Sequence, residues 1–156
     1  MLLTEDHADP EPWEMAARER VRDLYAAYNH AGDRFRVADL ADCFAADGVL
    51  AIRGQEPVTG RAAILGLLSG VRRGPTPDEE VPQLRHFVAN LLFTDVTPDR
   101  ITSEAYFQVF TQHGPDHWGR YRDAVVRTAD GWRFAHRTVI VDAALPGSWY
   151  EGQTVS

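Results

Sequence analysis

The chain has 156 residues and a net charge of −7, and all 16 of its basic residues are arginine. That length suits one domain around a single core; the acidic balance argues against nucleic acid as a partner, and the absence of lysine removes Schiff-base, P-loop and lysine-base chemistry. No apolar run is long enough to span a bilayer, Met1–Asp6 lacks the basic and apolar parts of a signal peptide, and the single Cys43 permits no intrachain disulfide, so a cytoplasmic protein is expected.

Residues 1–12 are acidic and proline-broken, which predicts a flexible lead before a single domain over 13–143. From Trp13 the spacing of Ala17, Val21, Leu24, Tyr25 and Tyr28 predicts an amphipathic helix, closed by Gly32 as a C-terminal glycine. A short second helix follows, with Val37, Leu40, Ala41 and Phe44 on its apolar face. Ala46-Asp47-Gly48 reads as a turn, Val49–Ile52 as a strand and Gly54–Pro57 as a hairpin or loop. Thr59 is placed to cap a third helix with the stripe Ile64, Leu65, Leu68 and Val71. Gly74–Glu80 reads as the most mobile interior loop.

Four strand-like runs come next, at about 84–96, 101–112, 117–128 and 132–143, separated by Gly, Pro and Asp. Connections this short hold no crossover helix, so an antiparallel sheet is predicted. Residues 144–156 form a tail able to fold over a pocket or a neighbouring subunit. The fold class is α+β: three N-terminal helices packed on a strongly curved antiparallel sheet, forming a cone-shaped barrel with a cavity.

Two polar residues stand out. Asp33 follows the first helical pattern, and His86 opens an apolar strand, where alternation puts Val88, Asn90 and Leu92 on its face. If the fold joins them, a carboxylate and an imidazole make a proton-abstracting pair that needs no metal or cofactor. Read alone, Asp33 is equally a turn or capping residue and His86 a hydrogen-bonded structural histidine. Tyr28, Tyr106 and Tyr121 are candidates to hold a carbonyl or leaving oxygen, with core packing as the alternative. Arg137 and Asp123 are candidates for the site or for a buried ion pair. His30, His113, His117 and His136 have no convincing ligand spacing, so no metal is expected, and no cofactor motif is present. Cys43 reads as a packed thiol.

Over about residues 15–143 the chain resembles the nuclear transport factor 2-like superfamily, and within it the SnoaL-like group. The resemblance rests on Tyr28 followed by Asp33, Phe44-Ala45-Ala46-Asp47-Gly48, Gly60-Arg61-Ala62-Ala63-Ile64, Arg85-His86, Gly119-Arg120-Tyr121-Arg122-Asp123 and Asp130-Gly131-Trp132-Arg133-Phe134. It implies the Asp33–His86 dyad as catalytic pair and Tyr28, Asn90, Tyr106, Tyr121, Asp123 and Arg137 as substrate-binding residues. It also implies a lyase- or isomerase-type reaction on a small hydrophobic compound such as a polyketide, terpenoid or steroid. The superfamily equally holds non-catalytic binding or assembly modules and epoxide hydrolases. Its members commonly form homo-oligomers, here a dimer or trimer. In the family's scytalone dehydratase a tyrosine directly precedes the aspartate; this chain has Gly32 there.

Overall fold

The computed structural model describes residues 9–71 and 81–153; residues 1–8 of the predicted 1–12 lead and the predicted Gly74–Glu80 loop lie outside them. Helix α1 spans Pro12–Asp33, with proline in its first turn, and α2 spans Val37–Ala41. Strands β1 (Phe44–Ile52) and β2 (Val58–Thr59) precede α3 (Arg61–Ser69). Strands β3 (Arg85–Val96), β4 (Arg100–Thr111), β5 (Gly114–Thr128) and β6 (Gly131–Ala144) then run as a meander, and a short 3-10 turn covers Glu151–Gln153. Among the described residues no helix is long and apolar enough to cross a membrane.

The class is α+β, and the six strands form one sheet in the order β2-β1-β6-β5-β4-β3. The sheet is mixed rather than wholly antiparallel, because β1 joins β6 in parallel. The turn argument holds for consecutive strands, but it says nothing about a strand that returns from the other end of the chain. Ala46-Asp47-Gly48 is no turn. It lies within β1, where the register with β6 shifts between Phe44 and Val49. Phe44 therefore belongs to a strand and not to the second helix. Thr59 pairs with Val49 in β2, so Gly60, not Thr59, occupies the start of α3. Leu65 points outward at 37% exposure, while Ile64 is fully buried.

The core lies between α1 and the inner face of the sheet. Val21, Leu24, Tyr25 and Tyr28 of α1 meet Phe134 of β6, Tyr121 and Val125 of β5 and Phe107 of β4. The rings of Tyr25, Tyr28, Phe44 and Phe134 contact one another at 5.6–6.1 Å between centroids, the range of favourable edge and tilted aromatic pairs.

Two glycines are forced by this packing, Gly48 against the Phe134 carbonyl and, more tightly, Gly119. A Cβ on Gly119 of β5 would lie 1.9 Å from the Ile140 carbonyl oxygen of β6, where the register also shifts. Backbone cannot step aside as a flexible side chain can. Gly119→Ala is expected to destabilise the protein by about 1–3 kcal/mol or more. Chemical denaturation of the purified variant checks this; an unchanged midpoint would show that β5 and β6 can part locally without cost.

Candidate functional site

Asp33 is the last residue of α1, and the way this helix ends aims its carboxylate. The Arg36 N–H bonds to Ala31 O at 2.9 Å and the Phe35 N–H to Gly32 O at 3.0 Å, the paired closure of a Schellman motif. The left-handed residue of that motif is Phe35, with φ 54°, not the predicted Gly32. A phenylalanine there costs on the order of 1–3 kcal/mol. Its ring is held against Trp149 at 6.4 Å and lines the cavity described below.

Asp33 Oδ1 lies 2.5 Å from His86 Nδ1, and both carboxylate oxygens accept the His86 backbone N–H at 3.1 and 3.2 Å. One carboxylate thus fixes the main chain and the ring at the start of β3. A bond from Nδ1–H to the carboxylate leaves Nε2 as the basic nitrogen, and Nε2 has no hydrogen bond to a described residue. The Asp33 and His86 side chains are 11% and 18% exposed.

His86 lines a cavity of about 410 Å³. Most of the wall is aliphatic or aromatic, including Leu40, Leu50, Ile52, Leu67, Leu68 and Val139. The polar side chains in the wall include His86, His117, Asn29, Tyr28 and Tyr121, with Gln55, Tyr150 and Gln153. An apolar hollow with a few convergent polar groups is the usual form of a small-molecule site.

His117 is the residue that sequence reasoning missed. Its Nδ1 lies 2.7 Å from Asp116 Oδ2, and both residues are buried. Phe107 stands between the two imidazoles, 6.2 Å from His86 and 6.0 Å from His117. The available signal was strand alternation: β5 begins at Gly114, not at 117, and places His117, Gly119 and Tyr121 inward together. Reading His113–Asp116 as a turn hid it.

Burial lowers the pKa of His117; Asp116 works the other way, and the neighbouring His86 adds to the lowering. A histidine held neutral in the fold contributes stability above its unfolded pKa of 6.5, and that contribution is lost as pH falls below it. Melting temperature should therefore drop between pH 7.5 and 5.5, and drop less in His117→Phe. Equal slopes in the two proteins would refute this.

The other predicted residues divide. Tyr28 and Tyr121 line the cavity, and the Tyr121 hydroxyl donates to Asn29 Oδ1 at 3.1 Å. Burial raises the pKa of both phenols, so they stay protonated as hydrogen-bond donors. Tyr106 does not reach the cavity: it is 58% exposed on the outer face of β4. Asn90 does not share the face of His86 either. It has φ 52° in a bulge where the β3–β4 register shifts between Ala89 and Leu92. Asparagine tolerates that conformation, and the bulge reverses the alternation, so Leu91 and Phe93, not Asn90 and Leu92, pack toward the core.

Asp123 and Arg137 form a buried pair beneath the cavity rather than part of its lining. Arg137 Nε and Nη2 donate to Asp123 Oδ1 and Oδ2 at 2.9 and 2.7 Å. The Tyr25 hydroxyl donates to Asp123 Oδ2 as well. The guanidinium lies 3.9–4.6 Å from the ring centroids of Phe134, Tyr121, Tyr28 and Tyr25. Burial opposes the charge of Arg137, but Asp123 outweighs it and raises the pKa further. Burial pushes the Cys43 thiol up to about 11, which makes it a poor nucleophile. Among the described residues no group of three or more His, Cys, Asp or Glu side chains is arranged to hold a metal ion.

Residues 13–138 match the family model of the SnoaL-like domain. No curated protein matches by sequence. Among solved structures, a Catenulispora acidiphila protein in complex with S-DNPA is 28% identical, with TM-score 0.69 over 82% of this chain and 95% of that one. ActVI-ORFA from Streptomyces coelicolor is 23% identical, with TM-score 0.69 over 81% and 98%. An NTF2-like protein with a cystatin-like fold from Novosphingobium aromaticivorans is 24% identical, with TM-score 0.68 over 86% and 87%.

Proposed function

Since the chain belongs to the SnoaL-like domain family, we propose that it is a lyase- or isomerase-type enzyme whose Asp33–His86 dyad abstracts a proton from a small hydrophobic substrate without a cofactor. The observation that carries this reading is the dyad's geometry: three contacts fix His86 on Asp33, and the ring borders an apolar cavity. His86 Nε2 takes the proton, and Asp33 stabilises the imidazolium that results. His117, with its Nδ1 held by Asp116, lines the same cavity and presents Nε2 as an acceptor for a substrate hydroxyl. The Tyr28 hydroxyl steadies the oxygen on which charge develops, while the Tyr121 hydroxyl is committed to Asn29. Elimination, isomerisation and aldol-type ring closure all begin with this step.

The substrate is a compact, largely apolar molecule with one polar end. The Catenulispora acidiphila relative, solved with S-DNPA, supports a small organic ligand. An epoxide hydrolase-like reaction loses its residues, because Asp123 and Arg137 lie outside the cavity. A non-catalytic binding module of the same fold is the outcome that the test must separate.

The test uses nitrobenzisoxazole, an apolar compound opened by removal of one carbon-bound proton. The expected result is ring opening about 10²–10⁴-fold faster than with free imidazole at equal concentration. Saturable binding of the compound with no acceleration would leave a binding module and overturn the enzyme reading.

The same proposal includes a homo-oligomer, dimer or trimer. Phe87, Tyr106 and Trp118 stand exposed together on the outer face of β3, β4 and β5, and light scattering measures the subunit count.

A further inference from the structure

The described part of the tail, residues 145–153, forms a wall between two hollows. Trp149, Tyr150 and Gln153 face the cavity that holds the histidines. On the other side lies a second hollow of about 510 Å³, bordered by Pro82, Gln112, His113 and Pro146 and again by Trp149 and Gln153. The tail therefore has open space behind it into which it can swing, and Gly147, with φ 74°, lies at its start.

Asp116 ties this wall to β5 at three points. Asp116 Oδ1 accepts the Trp149 N–H at 2.6 Å, and Oδ2 accepts the Tyr150 N–H at 3.2 Å. The Asp116 backbone oxygen accepts the Leu145 N–H at 2.9 Å. The same Oδ2 holds His117 Nδ1, and the His117 ring stacks on Tyr150 at 4.7 Å. Asp116 is 3% exposed, and these partners engage both of its carboxylate oxygens.

We propose that Asp116 is a positioning residue that couples the tail to His117, so that closing residues 145–153 over the cavity and making His117 ready to act are one event. With the tail closed, Trp149 and Tyr150 bury the imidazole, and burial disfavours its cation. With the tail open, water reaches the ring while Asp116 stays beside it, and the cation is favoured. The groups that face His117 are Asp116 on its own strand, His86 of β3 with Asp33 of α1 behind it, Tyr121 of β5 and Tyr150 of the tail. Among the described residues, the neighbour that favours the cation is Asp116, while His86 opposes it and Asp33 is engaged by His86. Linkage fixes the sign: protons favour the open tail, and closure strengthens as pH rises through the titration of His117. The consequence for catalysis rests on the function proposed above; the coupling itself does not.

The experiment therefore reads the coupling without substrate. The full chain, Asp116→Ala, Asp116→Asn and a chain ending at Leu145 are compared. Chymotrypsin cleavage after Trp149 and Tyr150, followed by mass, reports opening of the tail. The titration of His117, followed by NMR of its ring proton, reports the histidine. Asp116→Ala should be cut about tenfold faster than the full chain, from the loss of its side-chain bonds to the tail. In the chain ending at Leu145 the titration should move up, since Asp116 remains and the covering rings are gone. Asp116→Asn can still accept from the tail but donates to His117 Nδ1, so it should resist cleavage better than Asp116→Ala while moving the proton to Nε2, which the nitrogen chemical shifts report. If Asp116→Ala and Asp116→Asn are both cut no faster than the full chain, or if removing the tail leaves the titration in place, the coupling is overturned. If the coupling is present but nitrobenzisoxazole is not opened, the enzyme reading fails and this one stands.

Discussion

His86→Ala should lower the rate of nitrobenzisoxazole opening by about 10²–10⁴-fold, the usual contribution of a positioned base, while the protein still binds the compound. The reasoning runs through geometry. His86 sits on the cavity wall, and its Nδ1 and its backbone N–H are both committed to Asp33. Nε2, without a hydrogen-bond partner among the described residues, is thus the base the ring can offer, and alanine removes it without disturbing the aliphatic wall. Asp33→Asn should have a smaller but clear effect, because the amide can still meet the ring but cannot stabilise an imidazolium as a carboxylate does. Paired measurements of rate and affinity check both variants. A His86→Ala protein that keeps its rate would transfer the base role to His117 and end the dyad reading.

Asp123→Ala should be the most damaging single change to stability. It leaves the fully buried Arg137 guanidinium without its carboxylate, and breaking a buried pair in this way costs about 3–5 kcal/mol. A domain of this size commonly has only about 5–15 kcal/mol in hand, so the melting temperature should fall by about 6–20 °C. The four aromatic rings around Arg137 soften the loss but supply no counter-charge. The double variant Asp123→Leu with Arg137→Met removes both charges and should recover much of the deficit, as well-packed apolar replacements of buried pairs often do. Calorimetry on the three proteins decides it: if Asp123→Ala melts with the parent protein, the pair contributes little.

Much of this architecture is legible in the residues, and the parts that are not share a cause. The apolar spacing from Ala17 to Tyr28 and the Gly, Pro and Asp breaks between the last four strands are local signals, and local signals place α1 and the meander. Asp33 and His86 were readable as candidates because one ends a helix and the other opens a strand. Their contact was implied by the family resemblance and not by local signals, since it joins segments that are 53 residues apart in the chain. Asn90 was misplaced because simple alternation cannot see a bulge, and a bulge inverts every side chain after it. Phe35 was invisible as a helix terminator because glycine is the usual occupant, and Gly32 stood nearby. Starting β5 three residues late put Asp116 in a turn and His117 at a strand end, which hid that the two are held together.

The parallel seam between β1 and β6 has a consequence for how the molecule is made. A ribosome delivers α1, α2, β1 and α3 well before β6, yet β6 is the strand that joins β1 to the rest of the sheet. Until residues 131–144 emerge, β1 is paired along one edge only, with the two-residue β2, and the apolar face of α1 lacks Phe134. Such late, long-range pairing predicts slow folding, in milliseconds to seconds, and a chain that depends on chaperones while it waits. Strand β6 then acts as the closing stitch, and substitutions near Phe134 or Arg137 should depress the yield of newly made protein more than they depress the melting temperature of molecules that have already folded.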